Sequence, residues 1–228
     1  SFPVSRLDIE QATQEFGYTK AETDAILESC RGKCDQAEYD RRIMDFYRRK
    51  GLSVVHADNV WNLTVDMPTL VQRNTPRVRA TAVEVDRISR ERHYGSTDTI
   101  GAVLSMAQTG LTYFRPALEE DGKHILGLYV PPQVLGIGKG DCDSKTGLVA
   151  SVLKNFSGAR MIGIHVPDHY LMAIARVPQR GETYLQYAGE RYVLLEPTGP
   201  AWMPLGIISD YSRDLLNTMR DVRIDPIK

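Results

Sequence analysis

The apolar period of this chain changes once, just after residue 155. Before that point hydrophobic residues recur three and four positions apart, the spacing that lines one face of an α-helix. Beyond it they fall into short runs separated by turn residues, which is the mark of strands. Helices first and antiparallel strands second is an α+β order. A chain of 228 residues, 42% hydrophobic and 25% charged, has enough apolar side chain to bury such a core. Its 28 basic and 29 acidic residues leave a net charge of −1. That balance argues against a non-specific nucleic-acid binder, which needs a basic excess. No apolar run approaches the ~20 residues that span a bilayer. A start at Ser1, without methionine or a signal region, reads as a processed or trimmed chain.

The helical part has clear punctuation. Thr19-Lys20-Ala21-Glu22 has capping-box spacing and predicts a helix to about Cys30, stopped at Gly32. Asp35 caps a second helix, with Tyr39, Ile43, Phe46 and Tyr47 on its apolar face and Gly51 after its basic last turn. Residues 1–51 read as a helical arm, and Leu52 to Val65 as an extended, irregular connector. Thr75-Pro76 starts another helix, with Val78, Ala82, Val85 and Ile88 as its buried stripe. The Gly95-Ser-Thr-Asp98 turn leads to a helix with Ile100, Val103, Leu104, Ala107 and Gln108 on or near one face, ended by Gly110. Residues 121–141 read as loop. Cys142, Thr146, Val149 and Leu153 then share the apolar face of a helix that opens at the cysteine. Strands are expected at Met161–Val166, His169–Ala175, Tyr184–Tyr187 and Tyr192–Glu196, the last two as a hairpin. The expected division is an arm and linker over 1–75 and a catalytic domain over 76–228.

Cys142 has the setting of an activated thiol. A helix N-terminus favours the thiolate, and the glycine at 140 allows a substrate carbonyl to approach the backbone. A thiolate needs an imidazole to take its proton and later return it to the leaving amine. His165 and His169 both lie downstream, and His169 opens an apolar strand. Glu196, near the end of the hairpin, could orient the ring. The alternatives are a buried structural thiol and a core histidine. Zinc on Cys142, His165 and His169 lacks a fourth ligand. Asp141 and Asp143 flank the thiol without a calcium-loop pattern. The Gly138-Lys139-Gly140 run lacks the full phosphate-loop motif. His56, His93 and His124 are assigned no role. Cys30 and Cys34 read either as a disulfide across the Gly32 turn or as two ordinary thiols. The disulfide would leave Cys142 unpaired, as a nucleophile must be.

Four segments together carry a resemblance. Tyr129-Val-Pro-Pro-Gln-Val-Leu135 followed by Gly140-Asp-Cys-Asp-Ser-Lys-Thr-Gly147 resembles the nucleophile region of bacterial transglutaminase-like cysteine hydrolases. Val166-Pro-Asp-His169 resembles their histidine strand, Tyr192-Val-Leu-Leu-Glu196-Pro their acid strand, and Ala107-Gln108-Thr-Gly-Leu-Thr-Tyr113 a helix-end segment. The resemblance spans roughly residues 76–208. It implies a papain-type fold, with Cys142 as nucleophile, His169 as general base and acid, and Glu196 as the orienting carboxylate. Gln108 would serve the oxyanion hole beside the Cys142 amide, with Tyr113 and Asp141 on the substrate side. Family members commonly carry Asp where Glu196 stands and an acidic residue where Ser144 stands. The implied activity is amide hydrolysis of a protein or peptide through a thioester, without metal or cofactor. Acyl transfer to an amine, or a catalytically silent interaction module, are the alternatives. The expected compartment is periplasmic or secreted, with cytoplasmic as the alternative. The arm is expected to contact a partner or to cover the cleft.

Overall fold

A computed structural model describes residues 2–57, 60–199, 202–218 and 222–227. Helix α1 (Arg6–Glu15) starts at Ser5, whose hydroxyl accepts from the Asp8 amide. A two-residue strand β1 (Tyr18–Thr19) leads into α2 (Lys20–Cys30). The expected capping box is present: Thr19 accepts from the Glu22 amide, and Glu22 accepts from the Thr19 amide. Asp35 caps α3 (Gln36–Arg49), and a Cys30–Cys34 disulfide closes the turn between the two helices.

The stretch read as an irregular connector is a regular hairpin of β2 (Leu52–Ala57) and β3 (Val60–Val65). Ser53 and Thr64 hydroxyls bond across it at 3.0 Å. Helix α4 (Met67–Asn74) follows, capped by Asp66. Its eight residues are too few for a helical period to stand out. Ala12, Phe16, Leu52, Met67 and Leu70 share one buried cluster with Leu104, Leu148 and Met172. Residues on both sides of position 75 are therefore parts of one core, and the arm is built into it.

After a 3-10 turn at Pro76–Val78 comes α5 (Arg79–Glu91), three residues later than the Thr75-Pro76 signal suggested. Val78 and Ala82 are buried, while Ile88 is exposed, so the stripe ends a turn early. Helix α6 (Ser96–Thr109) buries Val103, Leu104, Ala107 and Gln108 as anticipated. Short strands β4 (Thr112–Tyr113), β5 (Glu119–Glu120) and β6 (Lys123–His124) follow, and β6 pairs antiparallel with both β5 and β1. The loop expected over 121–141 contains helix α7 (Pro131–Ile137). Pro131-Pro132 reads as a breaker, yet proline is well suited to a first helical turn, where amide donors have no partner. Gly138 ends α7 in the left-handed region at φ +71, a conformation costly for other residues. It turns the chain into β7 (Lys139–Gly140), which runs parallel to β4 with Tyr113 opposite Gly140.

Helix α8 (Cys142–Leu153) is buried all round from Ser144 to Leu153. Lys145 lies inside this core, and its Nζ donates to the Leu111 carbonyl at 2.8 Å. The main sheet consists of β8 (Met161–Val166), β9 (His169–Ala175), β10 (Tyr184–Tyr187), β11 (Glu190–Leu195) and, after helix α9 (Asp210–Thr218), β12 (Arg223–Ile227). Its order is β10-β11-β9-β8-β12, antiparallel throughout. Positive φ at Ala188 and Gly189 makes the tight β10–β11 turn. Alternation divides the side chains. Met161, Tyr170, Met172 and Ile174 face the helical core, whereas Ile164, Leu171, Ala173 and Leu194 join Leu215 and Leu216 of α9. The architecture is thus α+β, with α8 against one face of the sheet and α9 against the other.

Strand β12 was not anticipated from sequence. It ties the sheet to the site layer, because Tyr170 Oη donates to Asp225 at 2.8 Å. That ring lies directly over Gly163, where an added Cβ would stand 1.9 Å from Tyr170 Oη. Gly163→Ala must therefore displace Tyr170 from its partner. We expect a stability loss of about 3 kcal/mol, read as a lower urea midpoint at unchanged slope.

Candidate active site

Three neighbouring interactions position Cys142 at the first turn of α8. Asp141, the N-cap, accepts from the Ser144 amide at 3.1 Å and from Ser144 Oγ at 2.6 Å. Ser144 Oγ in turn accepts from the Tyr129 amide at 3.0 Å. One turn on, Thr146 Oγ1 donates to the Tyr170 carbonyl at 3.4 Å, which docks α8 on β9 beside His169. The Tyr170 backbone amide favours the ionised form of the thiol. Cys142 is half-buried and, unlike Cys30 and Cys34, carries a free thiol.

The thiol's own hydrogen bond goes to Asp143 Oδ1 at 3.3 Å, not to an imidazole. Burial pushes the thiol well above its usual range, and the Asp143 and Asp141 carboxylates push it further. Burial also raises Asp143 to about 6, with repulsion from Asp141 adding, against attraction from the thiol bond, His169 and Arg223. The resting thiol is therefore protonated. This differs from the thiolate expected at a helix start, because nearby carboxylates and burial outweigh the helix dipole and the single Tyr170 amide.

His169 stands at the start of β9 with its ring against a second network. Its Nε2 lies 3.7 Å from Glu196 Oε1 and 3.3 Å from Ser212 Oγ. Ser212 Oγ donates to Glu196 Oε1 at 2.8 Å, and Ser209 supplies its amide to Oε2 at 2.7 Å and its hydroxyl to Oε1 at 3.0 Å. Burial alone would raise Glu196. The bonds from His169, Ser209 and Ser212 outweigh it and hold the carboxyl below its usual range. With Nε2 facing two acceptors, the proton belongs on Nε2, which leaves Nδ1 as the basic nitrogen.

The imidazole opens into a cleft of about 530 Å³ bounded by Tyr113, Arg115, Asp168, Thr198 and Tyr211. The arm contributes none of the residues that line this cleft. Tyr113 is exposed there. Burial raises its hydroxyl and the Cys142 thiol adds to the shift, and its backbone pairs with Gly140, two residues before the thiol. His165 lies on the other side, by a cavity of about 240 Å³ that also touches Asp143, Tyr170 and Arg223. Among the described residues no cluster of three His, Cys, Asp or Glu is placed to hold a metal ion.

Gln108 has a different occupation from the oxyanion donor expected of it. Its Nε2 donates to the carbonyls of Glu196 at 2.9 Å and Met203 at 3.1 Å, and its Oε1 accepts from the Met203 amide at 3.0 Å. Both N–H groups are used, so the side chain clamps the end of the acid strand. Gln108→Ala leaves the Glu196 carbonyl with only the Gly199 amide at 3.3 Å, and the half-buried Met203 carbonyl and amide without partners. A loss of about 2–3 kcal/mol is expected, with activity per folded molecule falling less than the folded fraction. Asp141 is likewise committed as a helix cap. Ser209, Ser212 and Tyr211 are the site residues that sequence reasoning passed over, and Asp143 was weighed there only for calcium. The Ser209-Asp-Tyr-Ser212 start of α9, where Ser209 Oγ accepts from the Ser212 amide at 3.1 Å, was the readable signal.

Searches of protein families, curated proteins and solved structures return no match to this chain.

Proposed function

We propose that the protein is a cysteine-dependent amide hydrolase, a protease or amidase with a papain- or transglutaminase-like core. One observation carries the reading. The free thiol of Cys142 begins a buried helix docked on the strand that opens with His169, and that ring is held by a Glu196 carboxylate inside an open cleft. In the proposed reaction Sγ gives its proton to His169 Nδ1 and attacks the amide carbon. The C–N bond then breaks, the amine leaves with the proton from His169, and a thioester remains. Water adds to the thioester, giving a proton to His169. The C–S bond breaks, and the thiol regains its proton. With Gln108 engaged elsewhere, the backbone amide of Cys142 is the proposed oxyanion donor. An amine in place of water would give acyl transfer instead.

The Cys30–Cys34 disulfide supports an oxidising, periplasmic or secreted setting. Among the described residues no helix is long and apolar enough to cross a membrane. A second reading, a peptide-binding module without turnover, draws on the protonated thiol and its bond to Asp143. Iodoacetamide decides between them, since the disulfide leaves Cys142 as the one alkylatable cysteine of three. A hydrolase predicts alkylation of the native protein that slows several-fold in His169→Ala. A silent module predicts alkylation only after unfolding.

A further inference from the structure

Within the cleft, the segment after β4 presents a cation under unusual constraint. The Phe114 amide donates to the Gly140 carbonyl at 3.1 Å, and Tyr113 pairs with Gly140, two residues before the nucleophile. On the other side Arg115 precedes Pro116, which is buried and restricts Arg115 to extended backbone. Phe114 stacks on Tyr129, with ring centroids 6.1 Å apart, and lies under the Lys139 ammonium. Alternation in an extended segment then sends Tyr113 and Arg115 to the opposite side, where both line the cleft with His169. Among the described residues the Arg115 guanidinium has no ion pair and no hydrogen bond. It is an exposed fork on a fixed backbone. Its positive charge acts on Tyr113 and on Asp141, the residue before the thiol, against the burial that raises both.

We propose that Arg115 is the specificity residue of the cleft, and that the amide cleaved there is flanked by a substrate carboxylate. This rests on the hydrolase reading above. A guanidinium binds a carboxylate through two parallel N–H bonds, which fixes orientation as well as attraction. Asp168, on the β8–β9 turn of the same cleft, would repel that carboxylate, so the two charges give the cleft a direction. The carboxylate comes either from an acidic side chain or from a free chain end.

The first test needs no substrate. The Cys142 sulfur displaces iodide from iodoacetate and iodoacetamide alike, but the two reagents differ in charge, so their rate ratio reports the local field at the thiol. We expect Arg115→Gln to lower the iodoacetate-to-iodoacetamide ratio about 5-fold or more at low salt, and Arg115→Lys to keep it. An unchanged ratio in Arg115→Gln overturns the proposal while leaving the hydrolase reading intact. A native thiol inert to both reagents overturns the hydrolase reading and the proposal with it. The second test uses quenched fluorescent pentapeptides with central Glu, Gln or Lys, each with a free or amidated C-terminus. We expect kcat/KM about 10-fold or more higher for the carboxylate-bearing peptides, a gain lost in Arg115→Gln. Preference for central Glu assigns the side chain, and preference for the free terminus assigns the chain end. Equal cleavage of all peptides, or an equal loss on all in Arg115→Gln, overturns the proposal.

Discussion

Cys142→Ala is expected to abolish amide hydrolysis, and His169→Ala to reduce kcat by about 10³-fold or more. Removing either member of a nucleophile–base pair leaves only binding and oxyanion stabilisation. Stability should hardly move in the first variant. Cys142 is half-buried and its sulfur contacts the edge of the core, so its loss costs about 1 kcal/mol or less. Steady-state kinetics beside thermal unfolding separates the two effects. Retained turnover in Cys142→Ala would sink the thioester mechanism outright. Glu196→Gln offers a finer control. It keeps the shape and removes the charge, so the ring loses its electrostatic support while Ser209 and Ser212 still have an oxygen to meet.

The second large effect is expected at Asp143. Its carboxyl titrates at about 6 in the folded protein because burial penalises the charged form, whereas an unfolded chain holds it near ~3.9. A folded-state value above the unfolded one means that stability present below pH ~4 is lost as pH rises through ~6. Asp143→Asn removes that loss. The variant should be more stable than the parent by about 3 kcal/mol at pH 7, with little difference at pH 4. For a chain of this size that is a rise of roughly 6–12 °C in melting temperature. The same change takes a negative charge from beside the sulfur, so iodoacetamide should label Cys142 several-fold faster at pH 7. Equal melting curves at pH 7, with no change in labelling, would show that the carboxylate exerts no hold on the thiol.

The readable parts of this fold were those written locally. Thr19 and Glu22, Asp35 and the Ala188-Gly189 turn each act within a few residues, and their elements formed where expected. Elements defined by distant partners were not readable. Helix α4 depends on an Asp66 cap and on packing beneath α8, not on a visible period. Strand β12 exists because β8 offers a free edge, and its own sequence contains Pro226, which argues against a strand until the edge position is known. The same division runs through the site. Cys142, His169 and Glu196 could be singled out by motif, and the structure puts His169 beside Glu196. Ser209 and Ser212 could not be paired with Glu196, because 13 and 16 residues separate partners that meet only after α9 folds back over the sheet. Gln108 was noticed as the odd polar member of an apolar face, but its meaning lay in carbonyls 88 and 95 residues away.

Strand β12 also sets an order of events. Asp225 holds the Tyr170 hydroxyl, and the Tyr170 carbonyl accepts from Thr146, one turn along α8 from Cys142. The tie between β9 and the start of α8 therefore lacks its outer support until residues 223–227 have joined the sheet.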